Sequence, residues 1–160
     1  MQVKEIMTNA PRTVTPDTDL LEVVSLMCLY RYSGLPVMDG EKMVGFIAEK
    51  DVFHRLFPTL EDMMADGLGA GDYSGMMGKY KDVVNLKVAD LMATDVITVS
   101  PEQHILQAAT TMVRHKFRRI PVAEAGVLKG MLSLGDVHKA IFQANIASNN
   151  SVKPPVAVGM

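Results

Sequence analysis

Two stretches of this chain end on a carboxylate placed where it could do chemistry, Gly130-Met-Leu-Ser-Leu-Gly-Asp136 and Gly45-Phe-Ile-Ala-Glu-Lys-Asp51. In the first, Ser133 and Asp136 have the spacing at which a hydroxyl and a carboxylate bracket the first turn of a helix. Such a pair can close a capping box and do nothing else. It can also form a cradle, in which the hydroxyl and the free backbone N–H groups receive an anion and the carboxylate accepts two hydrogen bonds from a ribose diol. Both uses are compatible. In the second stretch Ala48 replaces the hydroxyl, so the spacing predicts no cap between Ala48 and Asp51 while the carboxylate remains.

The run Arg114-His-Lys-Phe-Arg-Arg119 concentrates cationic side chains in a nearly neutral protein. One reading is a solvated helix C-terminus that complements the helix dipole. The other is a phosphate site, because Arg118 and Arg119 stand immediately before Ile120-Pro121 and a guanidinium fork matches phosphate geometry. Nucleic acid fits less well, since Phe117 is the only interleaved aromatic and the chain as a whole is acidic. His54, His104, His115 and His138 include no i, i+4 pair and Cys28 has no neighbouring Cys or His, so no metal site is expected. Cys28 itself reads as a small buried hydrophobe. Gly67-Leu-Gly-Ala-Gly71 follows an acidic stretch instead of a strand, and Gly78-Lys79 lacks the rest of a P-loop. With no nucleophile beside a base, the chain is expected not to be an enzyme.

These residues must be held by a fold of modest size. The 160 residues suit one domain or two half-size units sharing a core, and 48% apolar with 21% charged composition is that of a globular chain. Sixteen Lys and Arg against eighteen Asp and Glu give a net charge of −2, which excludes a global field for nucleic acid or anionic lipid. The N-terminus lacks a secretory pattern, the apolar stretch from Leu20 to Tyr30 is too short to span a bilayer, and one cysteine makes no intrachain disulfide. A cytoplasmic protein without membrane contact is expected.

The chain also repeats itself. Val3-Lys-Glu-Ile-Met7 aligns without gaps on Val88-Ala-Asp-Leu-Met92, Thr13-Val-Thr-Pro16 on Thr98-Val-Ser-Pro101, Leu35-Pro-Val37 on Ile120-Pro-Val122, and Asp51-Val52 on Asp136-Val137. Each copy reads as strand, helix, strand, strand, helix. Thr13-Val14 and Val96–Val99 are β-branched runs ended by Pro16 and Pro101. Ser100 and Gln103 form a capping box for a helix starting at Pro101, with Thr15-Pro16 a weaker version. Leu20, Val24 and Met27, and Ile105, Ala109 and Met112, give the two helices apolar faces. The hairpins turn at Asp39-Gly40 and Ala125-Gly126, and second helices start near Glu49 and Leu134. The expected divisions are repeat 1 at 1–56, a linker at 57–87, repeat 2 at 88–146 and a flexible tail at 147–160. In the linker we read a short helix around Leu60 to Ala65, a glycine segment, and a helix around Lys79 to Leu86. The fold class is α/β of the α+β type, two β-α-β-β-α repeats packed about a pseudo-twofold axis, with the cleft between them as the natural ligand site.

The Thr-Val-x-Pro start and the h-Pro-Val strand, each present twice in one register, and the G-h-x-S-x-x-D ending, complete in copy two and with Ala48 for the Ser in copy one, resemble a tandem pair of CBS domains, the Bateman module. What the resemblance implies is a non-catalytic sensor: an adenosyl ligand such as AMP, ADP, ATP or S-adenosylmethionine binds the inter-repeat cleft, and a partner protein reads the change. Carried onto this chain, Asp136 takes the ribose with Ser133 beside it. Arg118 and Arg119 meet phosphate, and Val96, Ile120 and Met131 form the wall for adenine. The copy-one counterparts are Asp51 with Leu35 and Phe46, departing from the pattern at Ala48 and at Ser33-Gly34; Lys50 is a further phosphate partner. A homodimer is expected, since helix faces carrying Val24 and Ile141 would otherwise lack partners. The alternative is a structural protein that dimerises and binds nothing.

Overall fold

The computed structural model describes residues 1–56 and 73–148. A 3-10 turn at Val3–Glu5 precedes strand β1 (Thr8–Asn9), helix α1 (Leu20–Tyr30), strands β2 (Gly34–Asp39) and β3 (Lys42–Ala48) and helix α2 (Glu49–Leu56). Helices α3 (Tyr73–Val83), α4 (Val88–Leu91) and α5 (Ile105–His115) follow, then strands β4 (Arg119–Glu124) and β5 (Val127–Ser133) and helix α6 (Leu134–Ser148). The expected helix at Leu60–Ala65, the glycine segment and the tail beyond Ser148 lie outside the described residues. The linker's second helix, expected from Lys79 to Leu86, is α3, which starts earlier and ends at Val83.

Each copy contributes an antiparallel hairpin with helices, a mixed α+β arrangement. In β2 and β3, Leu35 faces Ile47 and Val37 faces Gly45. Period-two alternation then puts Leu35, Val37 and Ile47 on the core face and Gly34, Pro36, Phe46 and Ala48 on the other. The second hairpin turns through Ala125 (φ 51°) and Gly126 (φ 78°), two successive left-handed residues, which matches the twist of the flanking strands. The expected strands at Thr13-Val14 and Val96–Val99 shrink to single parallel bridges, Val14 with Val37 and Val99 with Val122.

The chain divides into two compact units. One gathers Met1–Pro11, Thr98–Glu124 and the residues from Lys129 onward; the other gathers Arg12–Ile97 and Ala125–Leu128. The unit holding copy two has a core of Val3, Val99, Ile105, Ala108, Met112, Ile120, Val122, Leu132, Val137 and Ala140. The unit holding copy one is centred on Leu20, Val23, Met27, Leu35, Val37, Ile47, Val52 and Val88. In both helices the outer positions of the expected stripe are buried, Leu20 and Met27, and Ile105 and Met112, while the middle position moves by one residue to Val23 and Ala108, with Val24 and Ala109 only half-buried. Spacings of three and seven hold that face as well as spacings of four and seven do.

Val3 and Val88 reach these cores because the opening segment of each copy packs against the helix start of the other. In one unit, Lys4 N–H donates to Pro101 C=O (2.9 Å), Val3 N–H to Gln103 C=O (2.9 Å), and Ile105 N–H to Met1 C=O (3.1 Å). In the other, Ala89 N–H donates to Pro16 C=O (3.0 Å), Val88 N–H to Thr18 C=O (3.0 Å), and Leu20 N–H to Leu86 C=O (2.9 Å). This exchange moves the helix starts. A helix begun at Ser100 would have Ile105 N–H donate to the Pro101 carbonyl; instead Ile105 N–H goes to Met1 and the Pro101 carbonyl accepts from Lys4, so Ser100 and Gln103 pair in a turn, Ser100 N–H to Gln103 Oε1 (3.3 Å). The helix begins at Ile105 instead, and His104 caps it by accepting from Leu106 N–H at Nδ1 (3.1 Å).

Gly45 and Gly130 permit the same close approach. A Cβ on Gly130 would stand 2.6 Å from Thr8 O and 2.9 Å from Met7 Sδ. On Gly45 it would stand 2.8 Å from both Ala93 O and Met92 Sδ. Thr8 pairs with Met131 and Asn9 with Gly130, while Phe46 and Ala93 exchange two bonds of 2.9 Å.

Candidate functional site

The end of each hairpin hands directly to a helix, and that junction carries the chemistry. In copy two, Asp136 N–H donates to Ser133 Oγ (2.9 Å) and Ser133 N–H donates back to Asp136 Oδ2 (3.2 Å). The capping box is complete. Leu134 N–H donates to Arg118 C=O (2.9 Å), which fixes the backbone of the basic run against the first turn of α6. Arg118 and Arg119 are exposed, and among the described residues neither guanidinium has an ion-pair partner. Met131 and Ser133 alternate with the buried Leu132, and Arg119 precedes the buried Ile120, so these three turn away from the core. Asp136 and Ser133 are half-buried, which leaves the second carboxylate oxygen and the serine hydroxyl proton open to a ligand with hydroxyls or negative charge, while the Leu134 and Asp136 amides are already bonded.

Copy one repeats the frame and changes the side chains. Glu49 N–H donates to Ser33 C=O (3.0 Å), the counterpart of the Leu134 bond. The expectation that no cap links Ala48 and Asp51 is corrected: Ala48 N–H donates to Asp51 Oδ2 at 2.8 Å. This half of the box needs only a backbone amide, which alanine supplies as well as serine. The other half, a hydroxyl for the Asp51 amide, is missing.

The structure thus brings Asp136, Ser133, Arg118, Arg119 and Met131 together in one unit, and Asp51, Lys50 and Phe46 in the other. Val96 is half-buried and falls in the unit of copy one. Ile120 and Leu35, at 0% and 1% exposure, lie inside the two cores. Lys50 is exposed in the first turn of α2. Cys28, expected to be buried, is exposed on α1. Val24 and Ile141, expected to lack partners, pack against their own cores; apolar side chains stand out instead at Leu21, Leu29, Leu106 and Val113.

One feature escaped the sequence. The ring of Phe46 lies over Gly34, so close that a Cβ there would stand 2.4 Å from its Cε1 and 2.7 Å from its Cζ. Glycine at the start of a strand beside an aromatic neighbour is the signal that could have shown it.

Two groups outside this site titrate away from their usual values. Partial burial, with the Cys28 thiol as a second cause, raises the Tyr80 phenol. A hydrogen bond to Asp19, together with that carboxylate's charge, raises the Lys87 ammonium. Among the described residues there is no group of His, Cys, Asp and Glu able to hold a metal ion, and no helix long and apolar enough to cross a membrane.

Comparison with known proteins agrees with this geometry. The CBS-domain family model matches residues 3–58 and again residues 88–143. The protein MJ1426 of Methanocaldococcus jannaschii is 30% identical over 158 residues, covering 89% of this chain and 92% of its own. The crystal structure of CBSX2, a CBS-pair protein from Arabidopsis thaliana, superposes with a TM-score of 0.71 at 27% identity, over 90% of this chain and 96% of that one. CBSX2 has also been solved in complex with AMP, and that structure matches with a TM-score of 0.68 at 28% identity, over 90% and 98% of the two chains. Inosine-5'-monophosphate dehydrogenase of Korarchaeum cryptofilum is 31% identical over 126 residues, but this chain spans only 21% of that enzyme's length.

Proposed function

The chain belongs to the CBS-domain family, and from that premise we propose that it is a non-catalytic sensor of an adenosine phosphate, AMP, ADP or ATP, whose binding is read by a partner protein. The observation that carries the reading is the junction at α6. There a half-buried carboxylate, a hydroxyl and two exposed guanidiniums fall within one unit at the start of a helix. In this reading Asp136 accepts from the ribose hydroxyls, Ser133 and the helix start bind ribose or phosphate, Arg118 and Arg119 neutralise phosphate, and Met131 lies against the base. Such chemistry binds and orients; it breaks no bond. The AMP complex of CBSX2 supports the ligand class. S-adenosylmethionine fits the ribose-binding part but offers the arginines a single carboxylate beside a sulfonium and an ammonium, less negative charge than a phosphate.

Signalling requires that the ligand bind one conformation of the protein better than another, since a ligand with equal affinity for both shifts nothing. A coupling of about 1–3 kcal/mol is the usual scale. We place the protein in the cytoplasm as a homodimer, with the exposed Leu21, Leu29, Leu106 and Val113 available for self-association.

The test is a thermal-unfolding series with AMP, ADP, ATP and S-adenosylmethionine. Ligand at a hundredfold over its Kd adds about 2.7 kcal/mol, a shift of several degrees. Asp136→Ala is expected to remove that shift and Asp51→Ala to leave most of it. If no nucleotide moves the transition, the structural reading, a dimerising protein with no small ligand, takes its place.

A further inference from the structure

The two copies share a backbone frame but differ at every position where an anion would be met. Arg119 of copy two is replaced by Gly34, Arg118 by Ser33, Ser133 by Ala48 and Met131 by Phe46. Of the run Arg114-His-Lys-Phe-Arg-Arg119, copy one keeps a single cation, Arg31, at the position of Lys116.

The losses are linked by contact. In copy one Gly34, Pro36, Phe46 and Ala48 share the strand face turned away from the core, with Pro36 directly opposite Phe46 and Gly34 opposite Ala48. The Phe46 ring fills the space into which any side chain at position 34 would have to leave the backbone, its Cε1 standing 2.4 Å from where a Cβ would sit. No larger residue fits at 34 while that ring is in place. In copy two the same pair of positions holds Arg119 and Met131, and Arg119 is exposed. An unbranched thioether leaves the strand room that a phenyl ring takes away.

The geometry points to Phe46 and Gly34 as a specificity-determining pair that closes copy one to phosphate and confines phosphorylated ligand to copy two, one such ligand per chain. This rests on the nucleotide-sensing function proposed above and adds to it the division of labour between the copies. Asp51 bonds the Ala48 amide as Asp136 bonds that of Ser133, so the carboxylates do not distinguish the copies; the hydroxyl, the arginines and the space beside the strand do. Lys50 offers that copy an ammonium on a flexible stem, not a fork held at the strand end.

Isothermal titration with AMP tests the assignment. The full chain is expected to bind one AMP. Asp136→Ala weakens binding at least tenfold, while Asp51→Ala changes it less than twofold. The quadruple variant Ser33→Arg, Gly34→Arg, Phe46→Met, Ala48→Ser, which carries all four residues of copy two into copy one, is expected to bind two. Phe46→Met alone, with its fold checked by circular dichroism, is expected to keep one, because it opens the space without adding a donor. Two AMP per wild-type chain, or a single AMP lost with Asp51→Ala and kept with Asp136→Ala, overturns the assignment and leaves the nucleotide reading standing. No binding of any adenosine phosphate overturns both.

Discussion

At the scale of single residues, the two junctions compare one cap with and without its hydroxyl. Ser133 and Asp136 satisfy each other's backbone amides, whereas Asp51 satisfies only that of Ala48. Replacing a serine cap by alanine costs about 1 kcal/mol. Ser133→Ala is therefore expected to lower the unfolding free energy by about that amount, and Ala48→Ser to raise it by up to the same, both read from urea midpoints at unchanged m-value. The same residues also show what a linear reading can and cannot reveal. The Ser133–Asp136 cap was legible because its residue types and spacing have few physical uses. The bond from the Ala48 amide was not, because a backbone donor has no letter of its own. Phe46 over Gly34 was hidden for a different reason: it is a contact across a hairpin, set by register and rotamer rather than by spacing along the chain.

At the scale of elements, the helices and hairpins follow from apolar periodicity and turn chemistry, and their boundaries do not. Helix α5 starts at Ile105 although Ser100-Pro101 carries the expected start signal, because the Ile105 amide is bonded to Met1 and the Pro101 carbonyl to Lys4. A long-range hydrogen bond here overrides a local preference worth about 1 kcal/mol. Likewise Thr13-Val14 and Val96–Val99 have strand composition but keep only one bridge each. The glycines of β3 and β5 matter at this scale. A methyl at position 130 would meet the Thr8 carbonyl at 2.6 Å, and backbone yields less than a side-chain tip. Gly130→Ala is expected to cost about 1–3 kcal/mol, the range for overpacking. It should also speed amide exchange at Val3 and Lys4, whose bonds hold the opening segment in place. Unchanged exchange at those two amides, with β5 alone perturbed, would show that the glycine does not govern the docking.

At the scale of the whole molecule, the sequence repeats and the compact units divide the chain differently. Repetition at a fixed interval revealed the doubling, since both copies keep the same apolar and turn positions. It was silent on which opening segment completes which core, because Val3 and Val88 are the same residue and either assignment satisfies the pattern. Both are 0% exposed, so each core contains a valine supplied by the other copy's leading residues. A chain severed between residues 57 and 72 would therefore yield two pieces, neither of them self-sufficient. Each would hold the plug for its sibling's hole. Expressed apart, the halves are expected to be insoluble or poorly folded; expressed together, they should reassemble and co-purify through a tag on one of them. Independent, cooperative melting of either half alone would contradict this. For anyone engineering the protein, the scissile region is thus a place to install a split reporter, whereas bulk fused directly to Met1, whose carbonyl seats Ile105, would disturb the distant half first.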